Sequence, residues 1–190
     1  MDVPVLGLVG SAAGGLPELR THLVQPLQDD GWEVAVTLTP SAYSWLDQIG
    51  EVAELERTTG YPVAGAPRDP AGATPHPDID CYAAAPASAN TVSRLALGIT
   101  GNQALTTLVA AIGARSVPVV VWPSMNRAYA GHPAWPGHIA ALRAGNVHLV
   151  YGDDVWPLPE PVGNPGWYQL TGREFPWPAI RETVKAAVAG

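Results

Sequence analysis

The residues whose types and spacing best suit chemistry lie in residues 86–102, PASANTVSRLALGITGN. An apolar run, residues 81–85, leads into a proline, and Ser88, Asn90 and Thr91 follow before an amphipathic helical pattern begins. This order predicts a strand that ends in a polar loop at a helix N-terminus. Free backbone N–H groups and the positive end of the helix dipole bind anions at such a corner. Helix caps use the same residue types, so the spacing alone supports an anion site and a simple cap about equally.

Two other apolar runs end in loops of small and polar residues. Residues 10–15, GSAAGG, follow the run at residues 4–9, and residues 39–41, TPS, follow the run at residues 32–38. The first loop has neither a GxGxxG pattern nor the lysine of a P-loop, so tight packing between strand and helix explains its glycines as well as a phosphate does. The hydroxyl residues of the second loop are equally usual as helix caps.

A fourth loop, residues 123–126 (PSMN), follows residues 117–122, the clearest β-strand pattern in the chain. Strand-like runs alternate with helical patterns, and this alternation predicts an α/β fold with a parallel sheet. A parallel sheet places the carboxyl ends of its strands at one edge, where α/β proteins bind ligands. From the residues alone we therefore expect a domain that binds a phosphorylated small molecule at its strand ends.

The elements that must position these loops follow from the same patterns. The predicted strands comprise residues 4–9, 32–38, 79–85, 117–122 and 147–150. The predicted helices comprise residues 17–28, 51–59, 103–111, 133–143 and 178–189, together with the helices that follow the loops at 39–41 and 86–91. Residues 65–77 and 153–167 are rich in proline and predict loops. The sequence shows no repeat and no domain boundary, so we expect residues 1–190 to form one domain.

Composition narrows the class of function. The net charge of −7 and the lack of a basic cluster argue against a nucleic-acid surface. Charged residues make up only 14% of the chain, which indicates that part of the surface is buried against other copies of itself. The first apolar run is short and has no basic region before it, so it predicts a buried strand and neither a signal peptide nor a membrane span. We expect a cytoplasmic protein.

The residue types for metal or hydrolase chemistry are not arranged for it. The histidines show neither HExxH nor another paired ligand spacing. Cys81 is the only cysteine, so an internal disulfide and a CxxC metal site are both impossible, and its apolar strand predicts a small core residue. The chain also lacks a GxSxG nucleophile elbow. The sequence therefore predicts no metal site.

The string PASANT, followed by a helix and by the pattern GI-x-x-N, resembles the flavin-contacting motif of the homo-oligomeric flavin-containing cysteine decarboxylases. That family includes the phosphopantothenoylcysteine decarboxylases and enzymes that oxidatively decarboxylate C-terminal cysteines of peptides. Residues 123–126 match the first half of a second family motif, P-x-M-N-x-x-M-W. The resemblance covers residues 3–150 and implies a Rossmann-like (flavodoxin-like) three-layer sandwich around a central parallel sheet.

The same resemblance implies FMN as the cofactor. Ser11 and Ser41 match the serines that hold the FMN phosphate in the family, with Gly10 and Thr39 beside them. Met125 is expected near the flavin. The other expected flavin contacts belong to the PASANT corner: Pro86, Ser88, Ala89, Asn90 and Thr91.

Two positions bear on catalysis. Asn126 matches the asparagine that grips the substrate carboxylate, although Tyr129 and Ala130 replace the Met-Trp that completes the motif. The family's active-site histidine is replaced by Gly72, which leaves His76 as the nearest candidate and an unrelated surface histidine as an equal alternative.

Residues 153–173, which correspond to a C-terminal flap in the family, help to distinguish reductive from oxidative decarboxylation. The pantothenate-pathway enzymes reduce their product with a cysteine of this flap, and residues 153–173 contain none here. The resemblance thus favours FMN-dependent oxidative decarboxylation of a C-terminal peptidyl cysteine to an aminoenethiol over coenzyme A biosynthesis. An FMN-binding regulatory or catalytically altered member of the family is the alternative. A flavin prenyltransferase is a third reading, but it needs basic residues for a prenyl phosphate, and few lie near these loops.

The expected partners are a cysteine-ended peptide and other copies of the chain. In the family a neighbouring subunit completes the flavin site, so the resemblance implies a homotrimer or a dodecamer built from trimers. The helix that carries Arg94 and Leu97 is the candidate interface.

Overall fold

The computed structural model describes residues 3–65, 76–161 and 174–189. Helices alternate with the strands of one sheet in this part of the chain. The strands are β1 (Val5–Gly10), β2 (Glu33–Leu38), β3 (Cys81–Ala87), β4 (Val119–Pro123) and β5 (Val147–Leu149). The helices are α1 (Gln25–Asp29), α2 (Pro40–Gln48), α3 (Glu51–Thr59), α4 (Ala89–Leu97), α5 (Gln103–Ala114), α6 (Arg127–Ala130), α7 (Trp135–Ala144) and α8 (Trp177–Ala189). A 3₁₀ turn (Leu16–Glu18) and a π-helical stretch (Arg20–Val24) precede α1.

The five strands pair in the order β2-β1-β3-β4-β5, and every pair is parallel. This is the strand order of flavodoxin-like folds, in which ligands bind where the order reverses, between β1 and β3. The carboxyl ends of β1 and β2 lie level with each other, because Gly10 pairs with Leu38. The carboxyl end of β3 lies beside that of β4, because Ala87 pairs with Pro123. The parallel sheet and the shared edge that the sequence predicts are confirmed.

Helices cover both faces of the sheet and make three layers, as predicted. One face packs against the helical segment at residues 16–29 and against α2, α3 and α8; the other packs against α4, α5 and α7. Side chains of each strand alternate between the two faces, so Val120 and Trp122 of β4 point to the first layer and Val121 to the second. Burial on both faces explains why the strands read as continuous apolar runs.

Several predicted boundaries differ from the observed ones. The helix expected at residues 17–28 is divided into the 3₁₀ turn, the π-helical stretch and α1. Pro26 lies near the start of α1 and has no N–H to donate to the carbonyl of His22, so a regular helix cannot continue through it. The four-residue α6 was not predicted, because it is shorter than any helical period that a pattern can show. The helix after Ser88 begins at Ala89, since Ser88 is its N-cap.

Four aromatic side chains form the centre of the first layer. Trp122 is fully buried and meets Trp156, Phe175 and Trp177 in edge-to-face contacts with ring centroids 5.6, 5.6 and 5.2 Å away. Trp122 and Trp177 also lie against Gly15, where an added Cβ would come within 3.0 and 3.1 Å of their rings. The aromatic cluster therefore supports the loop at residues 10–15 by packing against Gly15.

Candidate functional site

The loops that end β1, β2 and β3 are joined to one another by backbone hydrogen bonds. The N–H of Thr39 donates to the carbonyl of Gly10 at 2.9 Å. The N–H of Ser11 donates to the carbonyl of Pro86 at 3.0 Å across the switch point between β1 and β3. Gly10, Ser11, Thr39 and Pro86, which sequence analysis singled out separately, thus lie together in the structure.

Ser11 has a supporting role in this arrangement. Its hydroxyl donates to the carbonyl of Pro86 at 2.8 Å and accepts the N–H of Ser88 at 2.7 Å, and the residue is 2% exposed. Because its proton is used inside the protein, Ser11 fastens the first loop to the PASANT corner. With this hydroxyl engaged, the donors that the first loop leaves free are backbone N–H groups.

The backbone N–H groups of the first loop are available to bind an anion. The N–H groups of residues 12–15 donate no hydrogen bond to any part of the chain that the structure describes. Gly15 has a φ of 90°, a conformation that glycine adopts without strain. Successive free N–H groups in such a turn form a concave anion-binding site. The loop therefore fits a phosphate group, although it matches no phosphate-binding sequence pattern.

The start of α2 adds donors to the same corner. Thr39 is the N-cap, and its side-chain oxygen accepts the N–H of Ala42 at 3.4 Å. Ser41 is exposed in the first turn, and its hydroxyl has no hydrogen-bond partner among the residues described. Thr39 is thus a helix cap, whereas Ser41 is free to contact a ligand.

The PASANT corner serves as a cap and still leaves donors free. Ser88 accepts the N–H of Thr91 at 3.3 Å and contacts its hydroxyl at 3.1 Å, so these two side chains hold the start of α4. Ala89 and Asn90 occupy the first helical positions, where backbone N–H groups have no partner inside the helix. The carbonyl oxygen of the Asn90 side chain accepts a hydrogen bond from Arg94 at 3.0 Å.

Asn126 lies at the end of the next strand as the N-cap of α6. Its side-chain oxygen accepts the N–H of Ala128 at 3.1 Å, and the residue is half-buried. The cap identifies which end of the amide is the oxygen, so the NH2 group is the end that remains to donate. Met125 is 9% exposed and packs in the second-layer core beside the loop. The arrangement suits a carboxylate acceptor at Asn126.

Ser124, which sequence analysis left without a role, ties this loop to the others. Its N–H donates to the carbonyl of Ala87 at 2.8 Å, and its hydroxyl donates to the carbonyl of Gly14 at 2.8 Å. The residue is 4% exposed. The only sequence signal was its place within the P-x-M-N motif.

The structure does not place His76 with these residues. Its Nε2 lies 2.9 Å from the carbonyl of Pro62. Pro62 comes two residues before Ala64, which bridges to Thr37 of β2 in parallel. His76 is therefore held beside the outermost strand, below the level of the strand ends, and within one chain it does not meet Asn126.

The described residues bear on two expectations, the lack of a metal site and the place of Cys81 in the core. In residues 3–65, 76–161 and 174–189, no group of three or more His, Cys, Asp or Glu side chains is placed to hold a metal ion. Cys81 is fully buried, and burial, with a smaller effect from the charge of Asp80, raises the pKa of its thiol to about 12. Cys81 is thus an inert core residue, as its strand position indicates.

The helices of the described residues bear on whether the chain could cross a membrane. None of the helices in the part of the chain described here combines the length and the apolar character that a bilayer crossing requires. The cytoplasmic location expected from the sequence stays a prediction.

Comparison with known proteins defines the class. A model of the family described as Flavoprotein matches residues 5–171. The chain belongs to the flavoprotein family. This match confirms the recognition made from the PASANT motif and, with it, a flavin as the cofactor.

Individual relatives make the resemblance more specific. The coenzyme A biosynthesis bifunctional protein CoaBC of Escherichia coli K12 is 30% identical over 154 residues, which are 77% of this chain and 36% of that protein. CoaBC of Vibrio vulnificus YJ016 is 32% identical over 148 residues, or 75% of this chain and 35% of that protein. The chain thus spans about a third of the length of the curated relatives it matches.

Solved structures confirm the fold. TvaF, described as an FMN-dependent cysteine decarboxylase from thioviridamide biosynthesis, has a TM-score of 0.69 and 22% identity, with all of both chains covered. The peptidyl-cysteine decarboxylase EpiD has a TM-score of 0.60 and 23% identity over 80% of this chain and 87% of its own. At these identities the likeness shows a shared fold.

Proposed function

We propose that this chain is a single FMN-binding domain, residues 1–190, that oxidatively decarboxylates the C-terminal cysteine of a peptide. The observation that carries the proposal is the set of free backbone donors at residues 12–15, which lies beside the first turns of α2 and α4. These donors and the hydroxyl of Ser41 would hold the FMN phosphate. Ala89, Asn90 and Met125 would contact the rest of the cofactor.

Asn126 is the residue that we assign to the substrate. Its cap to Ala128 turns the amide NH2 toward a ligand, and a half-buried donor binds a carboxylate more strongly than a fully solvated one does. The chemistry that bound FMN supplies is a two-electron oxidation of the cysteine side chain, which makes the adjacent carboxyl group easy to lose as CO2. Asn126 would bind and orient that carboxylate until it leaves.

One observation favours a peptide over an intermediate of coenzyme A biosynthesis. The reductive reaction of that pathway requires a reactive cysteine, and the single cysteine here is buried in β3 with its pKa raised to about 12. The product would be an aminoenethiol at the end of a peptide natural product.

The position of His76 supports a second candidate function. The family's histidine is replaced by Gly72 in the sequence, and His76 contacts Pro62 at the side of the sheet. A chain that binds FMN and has no base beside Asn126 would be a regulatory or catalytically altered flavoprotein. The intact Asn126 is why we place this candidate second.

Mass spectrometry of peptide products separates the two candidates. The FMN-loaded protein is incubated with peptides that end in cysteine, and the matched control peptides end in serine or carry a C-terminal amide. We expect a loss of CO2 plus two hydrogens from the cysteine acid only. If no cysteine-ended peptide, the genuine precursor included, loses that mass while FMN binds normally, the second candidate is the better function.

We also propose that the protein is a homo-oligomer, a trimer or a dodecamer of trimers. Leu97 at the end of α4 is 62% exposed and Ile99 after it is 45% exposed, which leaves neighbouring apolar side chains in water in a single chain. Leu97→Asp should dissociate the assembly in light scattering, whereas Val188→Asp, at another exposed apolar position, should not. A wild-type monomer at micromolar concentration would refute the proposal.

A further inference from the structure

We propose that Ser124 is a positioning residue that couples the cofactor loop at residues 12–15 to the substrate residue Asn126. This inference rests on the proposed function. Ser124 is 4% exposed and makes two hydrogen bonds, from its hydroxyl to Gly14 and from its N–H to Ala87, both 2.8 Å long. One buried residue thus connects the loops that end β1, β3 and β4.

The bond to Gly14 fixes the direction of a peptide group. In a trans peptide the carbonyl and the following N–H point to opposite sides, so the Gly14 carbonyl directed at Ser124 sends the Gly15 N–H the other way. Glycine at residues 14 and 15 has little conformational preference of its own, and this peptide could otherwise rotate. Gly15 is further confined by the rings of Trp122 and Trp177. Ser124 therefore sets the direction of one of the free donors in the loop.

The bond to Ala87 fixes the other end of the connection. It pins the main chain of Ser124 to β3 immediately before the PASANT helix, at a point where β3 and β4 are out of regular register. Asn126 follows only two residues later, so the hydrogen bond from Ser124 to Ala87 also helps to fix the position of Asn126. Removal of the Ser124 hydroxyl should loosen the cofactor loop and, through it, the relation of the cofactor to Asn126.

Other serines lack this pair of contacts. Ser116 precedes β4 at the opposite edge of the sheet, is exposed, and makes no side-chain hydrogen bond within the part of the chain described. Ser116→Ala is therefore a matched control for the chemical change itself. Ser124→Cys keeps the size of the side chain and offers a weaker donor.

The test measures binding of two ligands by each variant of the full chain. FMN affinity is measured by titration of the FMN-free protein into FMN, with quenching of flavin fluorescence as the signal. A peptide that ends in serine is then titrated into the FMN-loaded protein, because it offers the carboxylate without the reaction. We expect Ser124→Ala to raise the FMN dissociation constant about tenfold, the size of one lost hydrogen bond, and to raise the peptide dissociation constant as well. Ser124→Cys should give a smaller rise, and Ser116→Ala none.

A positioning role for Ser124 is identified by comparing how each variant changes the affinities for FMN and for the peptide. Asn126→Ala should weaken only the peptide, whereas Ser124→Ala should weaken both. A purely structural role would lower the melting temperature of Ser124→Ala and leave both dissociation constants unchanged at temperatures far below it, which would overturn the inference. If Ser124→Ala does not fold, wild-type affinities for Ser124→Cys would overturn it equally. A wild-type protein that binds no FMN would instead refute the proposed function.

Discussion

The two edges of the sheet use their backbone groups differently. At the amino edge, donors and acceptors are matched: the N–H of Asp80 bonds to the carbonyl of Val5 at 3.0 Å, and the Asp80 carboxylate accepts the N–H of Val5 at 2.8 Å. At the carboxyl edge, bonds such as that from Ser11 to Pro86 join the loops, yet the N–H groups of residues 12–15 have no acceptor in the described chain. Since buried and half-buried donors are normally paired, the unmatched edge is the one where we propose that the ligand binds.

The helix ends at the two edges of the sheet differ in the same way. Helices that lead into the amino edge end in closed caps: Arg115, at a φ of 52°, donates its N–H to Ala111, and Asn146, at a φ of 63°, donates to Arg143. Helices that leave the carboxyl edge start with one side-chain cap each, from Thr39, Ser88 or Asn126. A single cap satisfies only part of the free N–H groups at a helix start, and the remainder can bind anions. A depression of about 210 Å³ lies at the amino edge beside Arg115 and Asn146, next to helix ends whose caps are closed.

The largest effect should come from adding a methyl group under the cofactor loop. Gly15→Ala meets both a φ of 90° and the rings of Trp122 and Trp177, so we expect it to cost about 2–5 kcal/mol of unfolding free energy and to abolish FMN binding. Gly31→Ala has a similar φ of 86° with open space around it, and should cost only about 1–2 kcal/mol. Urea denaturation measures both. Equal losses would show that the aromatic cluster does not support the loop.

The next effect separates capping from substrate binding at Asn126. Asn126→Asp keeps the oxygen that caps Ala128 and removes the NH2 donor, so we expect turnover to fall about 10²–10³-fold with unchanged stability and FMN affinity. Asn146→Asp makes the same chemical change at the opposite edge and should leave turnover unchanged. Steady-state kinetics with a cysteine-ended peptide checks both. Normal turnover by Asn126→Asp would contradict the assignment.

A smaller effect is expected at Ser41. Ser41→Ala removes one hydroxyl from the phosphate corner and should weaken FMN binding by about 1.5–3 kcal/mol, the range for a hydrogen bond to a charged group. Ser44→Ala, one turn further along α2, loses only a contact with Gln48 and should bind FMN normally. Fluorescence titration gives both affinities, and identical values would remove Ser41 from the site.

His76 should give the smallest effect. Because its ring contacts Pro62 beside β2 and not the strand ends, we expect His76→Ala to change turnover by less than about twofold. The measurement is again kcat and KM with a cysteine-ended peptide. A large loss of kcat with normal FMN binding would show that His76 reaches the substrate of another subunit in the oligomer.

Local patterns were sufficient for much of the fold and part of the site. Apolar runs buried on both faces identified the strands, and the hydroxyl residues after two of them identified the helix caps at Thr39 and Ser88. The cap at Asn126 was not identified, because the helix that it begins is only four residues long. These features depend on residues that are neighbours in sequence. The PASANT string then supplied the family, which spacing could not.

The remaining features depend on residues that are far apart in sequence. Ser11 bonds to a residue 75 positions away, and Ser124 bonds to Gly14 across 110 positions. A serine that ties two loops together looks in sequence like a serine that binds a phosphate, so the contacts of Ser11 with Pro86 and Ser88 and those of Ser124 were missed. The contact of Ser11 with the FMN phosphate stays a prediction. His76 is a similar case, because its place depends on a contact with Pro62, fourteen positions earlier in the sequence.

The short bridge at Ala64 has a consequence for how copies of the chain can meet. Ala64 accepts the N–H of Leu38 and donates to the carbonyl of Val36, so it occupies hydrogen-bonding groups on the outer side of β2. The strand at the other border, β5, is only three residues long. Among the residues that the structure describes, neither border offers a long open ladder for a foreign strand, and short or covered edge strands are one way in which proteins avoid edge-to-edge pairing. Copies of the chain are therefore expected to meet through helix faces, where the exposed leucine and isoleucine at the end of α4 would be covered.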